Sequence, residues 1–125
     1  MSFLCFGQEQ TENAFQKIDS IELYLSKQKL SDSSSIATSH YFIGELFRKN
    51  TPYSDSAYFH YHKAEKISRN LRDNLGTAKI LYGIAVIQQL EKDFIGSEVT
   101  SIEAISLLES VSETDEVQQY RSFIY

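Results

Sequence analysis

Residues 77–110 read TAKILYGIAVIQQLEKDFIGSEVTSIEAISLLES, and their pattern decides the fold. Ala78, Leu81, Ala85 and Gln88 recur at offsets of three, four and three, the period of one helix face. Glu91, Lys92 and Asp93 interrupt the apolar pattern. A second periodic run follows through Phe94, Ser97, Ser101, Ala104, Ile105 and Leu108. The stretch therefore predicts a helical hairpin with small residues where its two helices cross. A large side chain at a close crossing would force the backbones apart.

Outward from this hairpin the chain continues in the same style. Residues 11–29 predict a first helix, opened by Thr11 or Glu12, with an apolar stripe of Phe15, Ile18, Ile21, Tyr24 and Leu25. Residues 30–35 read as a linker with Asp32, Ser33 and Ser34 as candidate caps. Residues 36–50 predict a second helix packed through Ala37, Ile43, Gly44 and Phe47. Pro52 ends it, and Ser54 or Asp55 caps a third, residues 56–71, packed through Ala57, Tyr61, Ala64 and Ile67. Ser112 with Asp115 resembles a capping box for a sixth helix from Glu116. Its Tyr120, Phe123 and Ile124 are expected to lack a full partner. No alternation of strand type is present, so the chain reads as all-α.

Length and charge narrow the function classes. The 125 residues allow one domain with a modest core. A net charge of −5 argues against a nucleic-acid footprint. The single cysteine, Cys5, excludes an internal disulfide and a cysteine-rich metal site. Charge is polarised: residues 48–79 hold seven bases and three acids, and residues 91–116 hold one base and eight acids. Two solvated helix faces account for this, as does a dipolar module that stacks head to tail on further units. Residues 1–8, MSFLCFGQ, contain no span long enough for a bilayer, so no membrane insertion is expected of this segment. Two readings stay open for them: an N-terminus that frays or docks, and the last residues of a secretory signal.

Sliding the chain on itself exposes an internal repeat. At a shift of 41, Ala37 falls on Ala78, Tyr41 on Tyr82, Ile43 on Ile84, Gly44 on Ala85 and Tyr53 on Phe94. At a shift of 40, Ala57 falls on Ser97, Ala64 on Ala104 and Ile67 on Leu107. Such matches mark a repeat array.

These residues resemble the tetratricopeptide repeat (TPR) family, whose unit is a helix–turn–helix of about 34 residues. Its pattern has small or apolar residues at the first, fourth, seventh and eighth positions, an aromatic at the seventeenth, and small residues at the twentieth and twenty-seventh. Ala78, Leu81, Ile84, Ala85, Phe94, Ser97 and Ala104 fit it. Ala37, Ile43, Gly44, Tyr53, Ala57, Tyr61 and Ala64 fit in the first copy, given one inserted residue. Gln88 and Ser101 stand where the family has aromatics, and Arg69 and Glu109 where it closes with Pro. The resemblance covers residues 36–110, with repeats at about 36–70 and 77–110 and a partial third from 114. It implies a right-handed superhelix of antiparallel hairpins over residues 9–125.

The stretches PYSDSA (52–57), KAEKI (63–67) and DNLGTA (73–78) also look like TPR sensor regions of bacterial histidine kinases and helix-turn-helix regulators. That likeness implies a sensor or scaffold portion of a longer signalling protein, with further repeats and an output domain as intramolecular partners. Export fits the signal-like start; a cytoplasmic, peptide-responsive regulator is the alternative, and a purely structural segment is another.

The resemblance places Thr38, Tyr41, Glu45 and Arg48 of the first copy, and Lys79, Tyr82, Val86 and Gln89 of the second, in a concave groove. Such a lining suits a protein or peptide ligand held by stacking and backbone hydrogen bonds. Ordinary amphipathic surface is the competing account of the same positions. Tyr41, Glu45, Tyr82 and Val86 occupy the places of the Lys and Asn clamp that some relatives use for C-terminal carboxylates, which disfavours that ligand. Phe42, Phe47, Phe59, Phe94 and Phe123 are expected to pack in cores.

No chemistry is legible beyond this. His60 and His62 are two apart on a helix and face away from each other, and no set of ligands accompanies them, so no metal or other cofactor is expected. His62 and Glu65 are spaced to touch. Gly76, Gly83 and Gly96 are isolated rather than part of a phosphate loop. No nucleophile–base pair or pocketed carboxylate pair can be named, and the chain is expected not to be an enzyme.

Overall fold

The computed structural model describes the backbone of residues 2–28, 32–111 and 114–124, and side chains from Glu9 onward within them. Among the described residues there are six helices: α1 (Ser2–Ser26), α2 (Ser33–Asn50), α3 (Ser54–Asn70), α4 (Asn74–Leu90), α5 (Phe94–Glu109) and α6 (Asp115–Ile124). No strand occurs among the described residues. Short connections make α2 and α3 one antiparallel hairpin and α4 and α5 a second. α1 packs on α2, α3 on α4, and α6 on both α4 and α5. α2, α4 and α6 begin at 33, 74 and 115, and α3 and α5 at 54 and 94. These starts repeat at 41 and 40 residues, the intervals at which the sequence matches itself.

The breaks between helices have a local cause. Arg72 and Lys92 sit at φ 56° and 66°, left-handed residues that close α3 and α4. Asp73 N–H then bonds back to Ser68 O at 3.0 Å, and Asp93 N–H to Gln88 O at 2.8 Å. Each aspartate also caps the following helix, accepting from Gly76 N–H and Gly96 N–H at 2.9 Å. The two turns thus share one device, a left-handed basic residue, Asp, two residues, Gly. A Cβ on Gly76 or Gly96 would stand 2.3 or 2.2 Å from Oδ2 of the capping aspartate, so a larger residue there would displace the cap.

Small residues do lie at the helix crossings. Ala57, Ala64, Ala78 and Ala104 are fully buried, and Ser97 donates to Ala85 O at 3.0 Å. Around them pack Ile43, Tyr61, Ile87, Leu108 and Val117. Ser68 and Thr77 share a buried hydrogen bond of 2.7 Å between α3 and α4.

Several expectations need correction. α1 starts at Ser2 rather than near Thr11, since residues 2–10 contain no proline and Gly7 alone costs only about 1 kcal/mol relative to Ala. Tyr53 takes the N-cap position of α3, with Ser54 already inside the helix. α6 is capped by Thr114, whose Oγ1 accepts from Val117 N–H at 3.2 Å; Ser112 lies outside the described residues. Phe42, Phe59, Phe94, Phe123 and Tyr24 are exposed rather than packed away; of the five phenylalanines assigned to cores, Phe47 alone is buried. Phe42 and Phe59 each precede an inward residue, Ile43 and His60, and neighbours on a helix point in different directions. α5 is apolar on its outer side too, exposing Phe94, Ile95, Val99 and Ile102.

Candidate functional site

α2, α4 and α6 together present one aromatic and charged face. Tyr41 on α2 meets Tyr120 on α6, hydroxyl to hydroxyl, at 3.1 Å. Tyr82 on α4 lies edge-on to Tyr120, centroids 5.8 Å apart, and stacks on Phe123 at 5.6 Å. Lys79 stands between them. Its Nζ pairs with Glu116 at 2.5 Å and lies 5.9 Å from the Tyr41 ring and 5.8 Å from that of Tyr120. Burial comes first among the causes that hold the Tyr41 phenol protonated, followed by its bond to Tyr120 and the nearby Glu45 carboxylate.

Tyr120 borders cavities on two sides. One, of about 400 Å3, is edged by Thr38, Tyr41, Leu75, Lys79 and Glu116. The other, of about 630 Å3, lies toward α1 and is edged by Lys17, Ile21, Tyr41, Glu45 and Lys49. Both combine apolar walls with a few polar groups, the composition of sites that bind peptides or small organic groups.

Glu45 and Arg48 belong to a network below this face. Tyr61 Oη donates to Glu45 Oε1 at 2.7 Å and accepts from Arg48 Nε at 2.9 Å. Arg48 Nη2 reaches both Glu45 oxygens at 3.1 Å, and Lys49 Nζ reaches Oε2 at 2.9 Å. Burial alone would raise the Glu45 pKa, but bonds from Tyr61 and Lys49 and the Arg48 charge outweigh it and hold the carboxyl below its ordinary value. Glu45 and Arg48 are therefore committed to each other as much as to any ligand. Thr38 is exposed at the rim of the smaller cavity. Val86, half-buried, and Gln89, exposed, follow one and two turns beyond Tyr82 on α4.

Tyr120, Phe123 and Ile124 were expected to lack a full partner. Tyr120 and Phe123 meet Tyr41 and Tyr82, and Ile124 packs against the core, while Phe123 stays about half-exposed. Glu116, Tyr120 and Phe123 are site residues that pattern reading missed. One signal was available: at the shift of 41, Tyr82 falls on Phe123.

A second cluster joins residues that the sequence leaves apart. His40 Nδ1 and His60 Nδ1 are 2.9 Å apart across the α2–α3 hairpin, with the rings stacked at 5.2 Å. Phe47 also stacks on His60, centroids 5.8 Å apart. Burial, the neighbouring His40 and Lys63 lower the His60 pKa to about 4; burial and Lys63 lower that of His40. His62 bonds Glu65 at 3.2 Å instead of joining them. Among the described residues no three His, Cys, Asp or Glu side chains converge as a metal site would require. None of their helices is long and apolar enough to cross a membrane. A scan of family models, a search of curated proteins and a search of solved structures each found no match to this chain.

Proposed function

We propose that this chain is a non-catalytic module that captures a protein or peptide segment on the face of Tyr41, Lys79 and Tyr82. The observation that carries the reading is the cluster itself: three tyrosines and a phenylalanine in contact, with Lys79 beside two of the rings, flanked by cavities of about 400 and 630 Å3. Such a surface offers stacking area at low conformational cost and a charge to fix orientation. The equal spacing of α2, α4 and α6 supports a TPR-like, right-handed stacking of hairpins, in which this face lines the concave side. The likeness of residues 52–57, 63–67 and 73–78 to bacterial sensor regions supports a sensor or scaffold role in a longer, exported signalling protein. Peptides selected from a random library, titrated while amide shifts are followed by NMR, test the binding reading. Shifts should map to α2 and α4 around Tyr41, Lys79 and Tyr82, and Tyr82→Ala should weaken binding at least tenfold. Shifts confined to other surfaces would sink it.

The exposed Phe94, Ile95, Val99 and Ile102 of α5 favour a second reading, a structural segment that makes only self-assembly contacts. Sedimentation velocity separates the two: self-assembly requires concentration-dependent mass that Val99→Lys abolishes.

A further inference from the structure

The outer side of α5 is apolar as well as its inner one. Ile95, Val99 and Ile102, at offsets of four and seven, form an outward stripe about 10 Å long. Leu90 and Phe94 flank the turn at its start. These five side chains are between 59 and 79% exposed, whereas an ordinary surface helix keeps its apolar residues on one covered side. None of them edges the two cavities beside Tyr120, so the stripe is separate from the face of Tyr41, Lys79 and Tyr82.

The charge around the stripe selects what covers it. α5 carries no Lys or Arg. Glu98 is three residues from Ile95 and four from Ile102, and Glu109 is seven beyond Ile102, so both lie on the stripe's side. Glu103 is held by Arg69. Glu98, Glu109 and Glu91 of the preceding turn make no ion pair among the described residues.

A second copy of the chain fits this surface poorly. Its α5 would set the same acids against Glu98 and Glu109 with no base to answer them. Its basic stretch is largely spent: of the seven bases in residues 48–79, Arg48, Lys49, Arg69 and Lys79 are paired with its own carboxylates. A membrane with anionic headgroups calls for Lys and Arg beside the apolar residues, and α5 has acids there. A helix with one apolar side edged by Lys or Arg matches both the stripe and the unpaired carboxylates.

We propose that the outer face of α5 docks a basic amphipathic helix of another protein. This surface is distinct from the binding face described above and does not depend on it. The stripe holds the partner, while Glu91, Glu98 and Glu109 set its orientation and speed its approach. The acidic stretch of the sequence, residues 91–116, thus surrounds a helix with apolar residues on its outside.

The test uses the full chain and two fluorescein-labelled peptides, LKKLLKKLLKKL and LEELLEELLEEL, read by anisotropy. They share an apolar side and differ in the sign of their charge. The lysine peptide should bind at least tenfold more tightly, and raised salt should narrow the gap. Val99→Ser should weaken its binding about tenfold, because the centre of the stripe is lost without a change of charge. Glu98→Lys should weaken the lysine peptide and tighten the glutamate peptide. Both positions are exposed, so the fold should survive, which circular dichroism checks. Phe59→Ser, at an exposed position on α3, should leave both affinities unchanged. Amide shifts during titration should map to residues 90–109. Equal binding of the two peptides, lysine-peptide affinity unmoved by both α5 variants, or no binding by wild type overturns the proposal. So does concentration-dependent mass in sedimentation velocity that Val99→Ser abolishes, which would place a second copy on the stripe. Shifts confined to α2 and α4 would also overturn it while supporting the face of Tyr41, Lys79 and Tyr82, so the two readings fail separately.

Discussion

The ring of Tyr61 lies directly against Gly44: a Cβ on that glycine would stand 2.7 Å from Cδ1 and 2.8 Å from Cε1. At its tip the same ring meets Gly83, where a Cβ would stand 2.6 Å from Cζ. Tyr61 of α3 is thus threaded between α2 and α4 through two glycines, fully buried, with its hydroxyl emerging at Glu45 and Arg48. One side chain couples the first hairpin to the second and ends beneath the candidate binding face.

Gly44→Ala and Gly83→Ala should each destabilise the chain by about 1–3 kcal/mol, because the added methyl overpacks a ring that has nowhere to go. Tyr61→Phe keeps the ring but leaves Glu45 and Arg48 without their hydroxyl partner, costing about 1–2 kcal/mol. Urea unfolding followed by circular dichroism measures all three. Unchanged midpoints for both glycine variants would contradict the threading.

The left-handed residues offer the opposite effect. Arg72 and Lys92 carry side chains at positive φ, where a non-glycine residue is disfavoured by roughly 1–2 kcal/mol. Arg72→Gly and Lys92→Gly should therefore stabilise the fold, by up to about 1 kcal/mol after the added freedom of the unfolded glycine is counted. Thermal melts should show a small rise in Tm for each; a fall in both would mean that the basic side chains do more than close the turns.

Gln88 stands where the resemblance calls for an aromatic. Its Oε1 is buried without a hydrogen-bond partner among the described residues. Gln88→Leu removes the stranded acceptor and should raise stability by about 1–2 kcal/mol in chemical denaturation. A loss of stability would show that the amide is satisfied in solution, by water for example.

Acid should weaken the fold through the histidine pair. His60 binds its proton at about pH 4 when folded and at about 6.5 when unfolded. Between those values the unfolded chain carries the extra proton, so stability falls as pH drops from 6.5 toward 4, by at most about 1.4 kcal/mol per unit for this group. His40, shifted the same way, adds to the slope. Glu45, whose folded pKa is lowered, acts below its unfolded value near 4.5 and loses its contribution as pH falls through the folded one. Urea midpoints measured across pH 4.5–7 should flatten in His60→Phe; an equally steep profile in the variant would assign the loss to other groups.

Helices, breaks and the repeat were legible because each is local. A helix face repeats every three to four residues, and a short charged interruption of the apolar pattern marks its end; the left-handed residue and the Asp cap that make the break came from the structure. Residues 77–110 carried the helix period, the interruption and the small residues, and shifts of 40 and 41 carried them to the first copy. Exposure of the phenylalanines was not legible, because a helix with apolar residues on several sides does not say which side a neighbour covers. α5 is the plain case, with Ile105 half-buried inside and Ile102 exposed outside.

The sequence by itself determined an all-α chain, its six helices to within a few residues at most ends, and small residues at the crossings. Backbone hydrogen bonding and side-chain periodicity act over a few residues, so those features need no knowledge of distant neighbours. Tertiary structure alone decided that His40 meets His60, that Tyr61 runs between Gly44 and Gly83, and that Tyr120 closes on Tyr41. Those partners are 20 to 79 residues apart in the chain or lie on three different helices. They meet only because packing fixes the angle and offset of one helix on another, and no local pattern encodes that angle.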